Sequence, residues 1–480
     1  MPIASNSTQV PLAVDLDGTL IRTDMMWESV ALLLKKNPFL LFALPIWWMG
    51  GRAYLKQQLS RRVQVNPAAL PYHAKFLEWL KEEKRNGRKL VLATASDIKM
   101  AEPVAQHVGI FDEVLASDGK TNLRSTAKMK KLTERFGERG FDYAGNSSVD
   151  LGVWVGTREA IVVNADESLV QRAARQTTIG RTFPSGDSIG RELLRALRPH
   201  QWTKNLIIFV PLLTAHKIGE TALLLNAIVG FVAFSLCASG VYVLNDLMDL
   251  DADRHHATKR HRPFASGALP LQVGLAIVPL LLIVSALLAL KLTGAFAAVL
   301  GLYLVMSTAY SCRLKSVALL DVFILAALYT VRLIAGHAVT GVVYSTWLLI
   351  FAMFIFLSLA LLKRFIELRA VRLQNLNEVR GRGYSPGDLE LITTFGLVSG
   401  CVAVLVLALY VNSEQVVKLY KYPTALLLVC PLLLYWMARA WFRAHRGQMH
   451  DDPTEFAFKD WVSYLIGGLT LAVMWIATGR

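Results

Sequence analysis

The sequence predicts two modules, an N-terminal α/β domain with a cap and a C-terminal all-α polytopic membrane bundle of about nine transmembrane helices. The chain of 480 residues is 54% hydrophobic and 18% charged, which is more apolar than an ordinary soluble enzyme. Apolar segments of roughly 17–23 residues recur after Leu206, a length that crosses a bilayer as a helix. Before Leu206, short apolar runs alternate with helical patterns, which favours a parallel sheet.

Three apolar runs in the N-terminal part are predicted strands, namely "PLAVDLDGTL", "KLVLATASD" and "FDYAGNSSVD". The stretches "YHAKFLEWLKEEKRNG" and "KMKKLTERFG" between them have a helical pattern. Ligands of parallel α/β sheets bind at the carboxyl ends of the strands. We therefore expect Asp15, Thr94 and Asn146 to converge at one edge of the sheet.

Asp15 and Asp17 follow the first strand with one residue between them. Two such carboxylates suit phosphoryl transfer, because one attacks phosphorus and the other protonates the leaving oxygen, while Mg²⁺ offsets their repulsion. A hydroxyl, a lysine and G-N-x-x-x-D follow D-x-D-G-T-L in order. This set resembles the haloacid dehalogenase superfamily of phosphatases over about residues 10–165, which implies a Rossmann-like fold for the domain.

The resemblance implies a role for each residue that matches the motifs. Asp15 would be the nucleophile, Asp17 the acid/base and Thr94 a phosphate ligand, with Lys128, or alternatively Lys120, as the stabilising lysine. The implied metal ligands are Asp15, Asp17, Asn146 and Asp150. Asn146 departs from the aspartate that the family usually has there. The alternative interpretation is a scaffold domain that has lost its catalysis.

We predict a phosphatase-like domain over residues 1–180, a linker over 181–195 and a membrane domain over 196–480. The cap covers about residues 25–88, and its apolar run 37–49 is too short to span a bilayer. The adjacent tryptophans in that run, flanked by basic residues, predict either a cap that lies on the membrane or a buried cap core. The N-terminus lacks the pattern of a cleaved signal peptide, so we expect this domain in the cytoplasm.

The C-terminal part contains nine predicted transmembrane segments, at 205–215, 222–244, 270–290, 294–310, 318–338, 345–362, 389–411, 423–438 and 461–478. With the N-terminus inside, the predicted inner loops hold 16 Lys and Arg residues, and the outer loops with the tail hold 5. This asymmetry agrees with the positive-inside rule. We therefore predict a multi-pass protein of the inner (cytoplasmic) membrane with its charged loops in the cytoplasm.

The stretch "NDLMDLDADRHHATKRHRPFASG", which begins at Asn245, places four carboxylates at the end of an apolar segment. If the preceding helix continues, Asp246, Asp249 and Asp253 lie on one face, and Asp251 points elsewhere. Clustered carboxylates repel each other unless a cation lies among them, and Mg²⁺ usually binds one or two carboxylates plus substrate phosphates. We predict a metal–diphosphate site to which Asn245 can add an amide oxygen. The alternative is a solvated loop balanced by its own cations.

Other segments predicted at the same membrane face carry cations that suit phosphoryl oxygens. They are "LRPHQWTKN", "AYSCRLKSVALLD" and "LKRFIELRAVR". Arg332 lies inside the fifth apolar segment, where an ionisable side chain normally faces a polar cavity. The candidate substrate-binding residues are Arg198, Lys204, Asn205, Arg260, Arg262, Tyr310, Arg313, Lys315, Arg332, Lys363 and Arg364. For each of them alone, an interfacial anchor is the alternative.

Roughly residues 190–480 resemble the UbiA superfamily of intramembrane prenyltransferases, which are nine-helix bundles with two aspartate-rich motifs. Residues 245–253 match the first motif, N-D-x-x-D-x-x-x-D, fully. The second motif differs, because Tyr310, Lys315 and Asp321 stand where aromatic prenyltransferases carry several aspartates. This form, with "RPHQWTKN" and "KRFIEL", is similar to the decaprenyl-phosphate phosphoribosyltransferase branch.

The resemblance implies transfer of phosphoribose from phosphoribosyl diphosphate to a polyprenyl phosphate. Asp246, Asp249 and Asp253 would hold Mg²⁺ on the leaving diphosphate, and Lys315 and Asp321 would complete the catalytic set. The fused domain would remove the 5-phosphate from the product. One alternative is prenylation of an aromatic or quinone precursor by a polyprenyl diphosphate, and another is a non-enzymatic transporter or scaffold.

The predicted partners are the lipid bilayer, a polyprenyl lipid substrate, and either phosphoribosyl diphosphate or an aromatic acceptor. We predict no nucleic-acid partner, because the net charge of +15 suits anchoring to anionic lipid in a membrane chain. A homo-oligomer is compatible with the sequence.

Overall fold

The computed structural model describes residues 10–118, 121–186, 188–373, 382–449 and 452–479. The chain forms two compact units. The first comprises the chain up to Leu197 together with Tyr242–Pro279, and the second comprises Arg198–Val241 together with Leu280–Arg480. The acidic stretch therefore belongs to the same compact unit as the N-terminal domain, although it lies between two apolar helices in the sequence.

The first unit contains a six-stranded sheet in the order β3-β2-β1-β4-β5-β6. Every neighbouring pair is parallel, as the α/β pattern predicts. The strands are β1 (Leu12–Val14), β2 (Leu90–Asp97), β3 (Glu113–Ser117), β4 (Asp142–Gly145), β5 (Glu159–Ala165) and β6 (Thr178–Pro184). The last strand and a helix over Ile189–Leu197 occupy much of the segment predicted as a linker.

Helices cover the sheet and form the cap, and all of them precede the second unit. They are α1 (Met25–Lys36), α2 (Leu44–Met49), α3 (Arg52–Ser60), α4 (Ala74–Arg85), α5 (Ile98–Val108), α6 (Thr126–Phe136), α7 (Leu151–Trp154), α8 (Glu167–Ala174) and α9 (Ile189–Leu197). Side chains alternate along β1, so that Leu12 and Val14 enter one apolar core and Ala13 enters another. Burial on both faces explains the continuous apolar runs of these strands.

The cap segment that contains the two adjacent tryptophans is a 3₁₀ helix, Pro38–Ala43, followed by α2. Trp47 is buried in the domain core, and the Arg62 guanidinium lies 4.5 Å from its ring centroid. Trp48 faces the other way and is 48% exposed, beside Phe42 at 81% and Met49 at 87%. The buried-core interpretation thus describes Trp47, and the membrane-lying interpretation stays a prediction for the exposed side of the segment.

Eight helical segments among the described residues are long and apolar enough to cross a membrane. The helices of this part of the chain are α10 (Val210–Thr214), α11 (Thr221–Met248), α12 (Leu250–His255), α13 (Leu271–Leu290), α14 (Gly294–Cys312), α15 (Leu320–Thr340), α16 (Thr346–Leu373), α17 (Leu389–Val411), α18 (Glu414–Leu419), α19 (Val429–His445), α20 (Pro453–Lys459) and α21 (Trp461–Thr478).

The first predicted span, 205–215, differs from the other eight. It is a 3₁₀ helix, Pro199–Phe209, followed by the five residues of α10. Pro199 is the first residue of the 3₁₀ helix and Pro211 the second residue of α10, and the first turn of a helix tolerates proline because its N–H groups have no partner within the helix. In contrast, α11 and α16 extend beyond the predicted segments, and these extensions carry the polar residues described below.

Candidate active sites

The polar residues of the phosphatase-like motifs lie at the carboxyl ends of neighbouring parallel strands. Asp15 and Asp17 follow β1, Asn146 follows β4, and Thr94 lies in the last half of β2. Because β1 pairs with both β2 and β4, these residues lie at one edge of the sheet. The Asp15 N–H donates to the Ala144 carbonyl at 3.0 Å, which ties the β1 end to the β4 end.

A chain of hydrogen bonds joins the candidate nucleophile to a second carboxylate. Lys128 Nζ donates to Asp15 Oδ1 at 2.8 Å and to the Tyr143 hydroxyl at 2.7 Å. The Tyr143 hydroxyl in turn donates to Asp150 Oδ1 at 2.9 Å. The alternative lysine, Lys120, lies outside the described residues.

Burial raises the pKa of Asp15 to about 7, against the opposing effect of the Lys128 ammonium. The nearby Asp150 and Asp17 carboxylates also raise this pKa. The neutral form of Asp15 is therefore substantially populated near neutral pH in the absence of a further cation. A divalent cation at this edge would lower the pKa and favour the nucleophilic carboxylate.

Asp17 is held by donors that fix both of its oxygens. Oδ1 accepts from the Met25 N–H at 2.8 Å and Oδ2 from the Ser96 hydroxyl at 2.7 Å. Thr94 Oγ1 accepts from the Ser96 N–H at 3.0 Å, so this hydroxyl shapes the strand end. Sequence reasoning missed Ser96, whose only signal is its position two residues after Thr94.

Two further residues of the cap side reach this edge of the sheet. Asp24 caps α1 by accepting from the Met26 and Trp27 N–H groups, and burial, together with the Asp17 charge, raises its pKa to about 6. Lys56 of α3 donates to the Ala95 carbonyl at 2.7 Å. An ammonium and an acid from the cap thus accompany the motif residues, and the sequence pattern did not predict them.

The loop after β4 depends on Asp150. Its Oδ2 accepts from the Asn146 N–H, the Ser147 N–H and the Ser147 hydroxyl at 3.1, 2.9 and 2.9 Å. Asn146 Oδ1 accepts from Thr19 at 3.3 Å. Gly18 has φ +75°, and a Cβ there would lie 2.1 Å from Asn146 Nδ2, so this turn requires glycine.

The acidic stretch in the same unit brings two of its predicted carboxylates together. The helix ends at Met248 and resumes at Leu250, but the Asp249 N–H still donates to Asn245 O at 2.9 Å and the Asp253 N–H to Asp249 O at 2.8 Å. The helical spacing is therefore retained across the break. Asp246 and Asp253 are both buried, while Asp251 is exposed, as its position in the pattern predicts.

A single guanidinium nitrogen bridges the two buried carboxylates. Arg262 Nη1 lies 3.0 Å from Asp246 Oδ1 and 2.7 Å from Asp253 Oδ2. Burial raises the pKa of Asp253, and the Asp246 charge raises it further, whereas Arg262 lowers it. The two acids thus share one cation position. Asp249 and Asn245, on the same helical stretch, are half-buried, and Arg260 is exposed.

Neither acidic site is a complete protein cage for a metal. Among the described residues, no three His, Cys, Asp or Glu side chains are grouped closely enough to hold an ion. A pair of predicted carboxylates, Asp246 with Asp253 or Asp15 with Asp17, is the protein's share in each place. That number suits Mg²⁺, which takes its remaining ligands from water and substrate phosphates.

In the second unit, Asp321 is the centre of a buried polar cluster. Its Oδ2 accepts from Arg364 Nε at 2.5 Å and from Arg382 Nη1 at 3.4 Å, and its Oδ1 accepts from the Tyr384 hydroxyl. The Tyr310 hydroxyl accepts from Arg382 Nη1 at 2.9 Å and from Arg364 Nη2 at 3.3 Å. The structure therefore joins three predicted site residues, and it adds Arg382, which the motifs did not indicate.

The remaining predicted cations of the second unit divide into separate groups. Lys363 and Lys204 both approach Asp452 Oδ2, at 2.6 and 3.5 Å. Arg332 Nε donates to Asn205 Oδ1 at 2.8 Å, and its guanidinium carbon lies 5.0–5.4 Å from the ring centroids of Phe234, Tyr303 and Tyr329. Arg198 and Lys315 are half-buried and Arg313 is exposed.

Two families match separate parts of the chain. The pattern of the UbiA prenyltransferase family matches residues 206–459, and that of the haloacid dehalogenase-like hydrolases matches residues 12–153. The second match agrees with the observed sheet, and the first covers all but the last of the candidate spans.

Two relatives are similar over most of their length. The uncharacterized protein y4nM of Sinorhizobium fredii is 38% identical over 464 residues, 96% of this chain and 90% of that protein. The nodulation protein NoeC of Azorhizobium caulinodans is 34% identical over 285 residues, 58% of this chain and 92% of that protein. The decaprenyl-phosphate phosphoribosyltransferase of Mycolicibacterium smegmatis is 36% identical over 181 residues, 37% of this chain and 57% of that protein.

Proposed function

This chain belongs to the UbiA prenyltransferase family, a family of membrane transferases, and we propose that it transfers phosphoribose from phosphoribosyl diphosphate to a polyprenyl phosphate. The observation that carries the proposal is the shared cation position between Asp246 and Asp253. The similarity to a decaprenyl-phosphate phosphoribosyltransferase over 181 residues supports the choice of substrate class. Family membership excludes the transporter alternative as the main function.

Asp246 and Asp253 would hold a magnesium ion, with Asn245 and Asp249 as further candidate ligands from the same stretch. Bound there, Mg²⁺ would neutralise charge that develops on the leaving diphosphate. Arg262 would have to leave the carboxylates as the ion enters, and its guanidinium could then bind phosphoryl oxygens. Its side chain is 25% exposed, which leaves it room to move.

The cationic groups of the second unit suit the acceptor phosphate. Arg364 and Arg382 donate hydrogen bonds to Asp321 and Tyr310. These bonds hold the two guanidinium groups in one orientation. Lys204 and Lys363 are compact charges that share a single carboxylate. A reaction with two phosphorylated substrates must neutralise three phosphate groups, and this supply of cations is what that task needs.

The direct test offers two substrate pairs to purified protein in vesicles with Mg²⁺. One pair is phosphoribosyl diphosphate with polyprenyl phosphate, and the other is polyprenyl diphosphate with an aromatic acid. The proposal predicts diphosphate release with the first pair. Release with the second pair alone would establish the runner-up function, prenylation of an aromatic or quinone precursor.

We propose further that the fused domain removes the 5-phosphate from the lipid-linked product. The chain Asp15–Lys128–Tyr143–Asp150 and the fixed Asp17 support phosphoryl transfer with Mg²⁺. The test follows ³²P at the 5-position of the lipid product in wild-type protein and in Asp15→Asn. Loss of label at the same rate in both proteins would refute this role.

The exposed cap residues support a cap that lies on the cytoplasmic leaflet of the inner membrane. Phe39, Phe42, Trp48 and Met49 form an apolar surface, and Arg52 stacks on Trp48 at 5.2 Å. Apolar and basic residues together favour the interface of an anionic bilayer. A fluorophore attached at position 42 of the full chain in nanodiscs should be quenched by brominated lipid. An unquenched fluorophore would exclude this placement.

A further inference from the structure

The acidic stretch is fixed to the phosphatase-like domain by a buried ion pair. Arg254 Nη2 donates to Glu28 Oε1 at 2.6 Å, and Arg254 Nη1 donates to Glu28 Oε2 at 3.1 Å. The two side chains are only 8% and 3% exposed. Arg254 lies on α12 directly after Asp253, and Glu28 lies on α1, the first helix of the cap.

The arginine has no freedom to rotate away from this position. Its third donor group, Nε–H, donates to the Ala265 carbonyl at 3.0 Å. Ala265 lies in the segment 256–267 that follows α12, which we call the return arm. Arg254 therefore joins α12, the return arm and the cap helix at one point. Removal of either partner of such a buried pair leaves the other charge uncompensated. The two side chains therefore stay together.

The return arm makes a second close approach to the domain. Gly267 has φ +72°, and a Cβ there would lie 2.7 Å from Arg22 Cβ and 3.0 Å from the Arg22 carbonyl. Leu275, just beyond, packs against the apolar core that contains Leu12 and Val14. Both arms of the acidic stretch are thus seated on the phosphatase-like domain.

The cap helix is itself fixed by the other acidic site. The Met25 N–H at its first turn donates to Asp17 Oδ1 at 2.8 Å, and Glu28 follows one turn later. Arg262, on the return arm, binds both Asp253 and Asp246. The contacts therefore run from Asp17 through α1 and Glu28 to Arg254, and Arg254 is the chain neighbour of Asp253.

We propose that Glu28 is a positioning residue for the transferase site, and that the phosphatase-like domain serves as the scaffold that orients Asp253 towards Asp246. The inference rests on the proposed function in that these acids hold Mg²⁺. It adds a role for the fused domain that does not depend on its own catalysis. Groups that bind a metal ligand directly typically change metal affinity by about 10–100-fold when they are lost, and Glu28, which acts through Arg254 and the backbone, should lie at the lower end of this range.

The test compares Glu28→Gln with Glu113→Gln in the full chain. Glu113 is the control, because it forms an ion pair that stays within the phosphatase-like domain, with Lys89 at 3.1 Å, and it lies on the edge strand β3. We expect Glu28→Gln to raise the Mg²⁺ concentration for half-maximal diphosphate release about 10-fold, and Glu113→Gln to leave it unchanged. The reversed pair, Glu28→Arg with Arg254→Glu, should restore most of the wild-type requirement.

Hydrogen exchange supplies a measurement that is independent of activity. In metal-free protein, Glu28→Gln should increase exchange over residues 250–267 relative to wild type and to Glu113→Gln. Unchanged exchange, or an unchanged Mg²⁺ requirement, would overturn the proposal. If wild-type protein releases no diphosphate from either substrate pair, the proposed function fails, and the exchange comparison still decides whether Glu28 orders the acidic stretch.

Discussion

The two acidic sites of the first unit hold their carboxylates in different ways. The Asp15–Asp17 site is built on strand ends, and its cation, Lys128, is buried and tied to a second acid through Tyr143. The Asp246–Asp253 site is built on helical spacing, and its cation, Arg262, is a quarter exposed on a loop. One site contains a buried cation, and the other contains a partly exposed cation that, in the proposed function, gives way to a metal.

This difference corresponds to the chemistry proposed for each site. A phosphatase keeps its lysine beside the nucleophile throughout the reaction, because the lysine offsets charge on the transferred phosphoryl group. A diphosphate enters and leaves with its metal, so its site must accept charge and release it. The structure of the unit therefore allows two phosphate chemistries with almost the same residue types.

The largest effect is expected for Asp246→Asn. Loss of one of two metal carboxylates should lower diphosphate release on the order of 10²–10³-fold, the size found when one preorganised charge-stabilising group is removed. Asp251→Asn is the matched control, because Asp251 is exposed on the same stretch. The measurement is the initial rate in vesicles at saturating Mg²⁺. Equal rates for the two variants would remove the distinction between the buried pair and the surrounding acids.

The second-unit cluster allows a test of whether its acid is structural. Asp321→Asn would leave the buried Arg364 with Glu367 as its remaining carboxylate, and loss of one partner of a buried ion pair destabilises by up to about 3–5 kcal/mol. Tyr384→Phe removes one hydrogen bond to the same carboxylate and should cost about 1 kcal/mol. Thermal unfolding in detergent measures both changes. A smaller effect for Asp321→Asn than for Tyr384→Phe would contradict the assigned centre of the cluster.

The smallest effect is a pH-dependent stabilisation by Asp24→Asn. The pKa of Asp24 is about 6 in the folded protein against an ordinary value of 3.8. A carboxyl whose pKa is raised by folding stabilises the fold at low pH and loses that contribution as the pH rises through 6. Asparagine caps a helix as well as aspartate does.

Asp24→Asn should therefore increase the free energy of unfolding at pH 8, by an amount on the order of 1 kcal/mol, and should not increase it at pH 4. Unfolding in chelator at the two pH values checks this. A stabilisation at pH 4 that vanishes at pH 8 would contradict the assigned direction.

Much of this arrangement could be predicted where a local period places residues together. D-x-D after an apolar run predicted the strand-end site, and helical spacing placed Asp246 and Asp253 on one face across a break in the helix. The alternation of apolar runs also predicted the parallel sheet. The eight long spans are equally a matter of local length and hydropathy.

Contacts between distant segments could not be predicted in this way. Glu28 and Arg254 are 226 residues apart, and Arg382 is 61 residues from Asp321, so no spacing rule connects either pair. Ser96 and Lys56 depend on how the cap and strand ends pack. The first predicted segment, 205–215, is of marginal length for a span, and the structure divides it between a 3₁₀ helix and the short α10.

The central claim is that Mg²⁺ held by Asp246 and Asp253 accepts the departing diphosphate. Its most direct test is the Mg²⁺ dependence of diphosphate release by purified wild-type protein given phosphoribosyl diphosphate and polyprenyl phosphate. We predict no release in excess chelator, recovery on addition of Mg²⁺, and a higher Mg²⁺ requirement in Asp253→Asn. Undiminished turnover in chelator would contradict the claim.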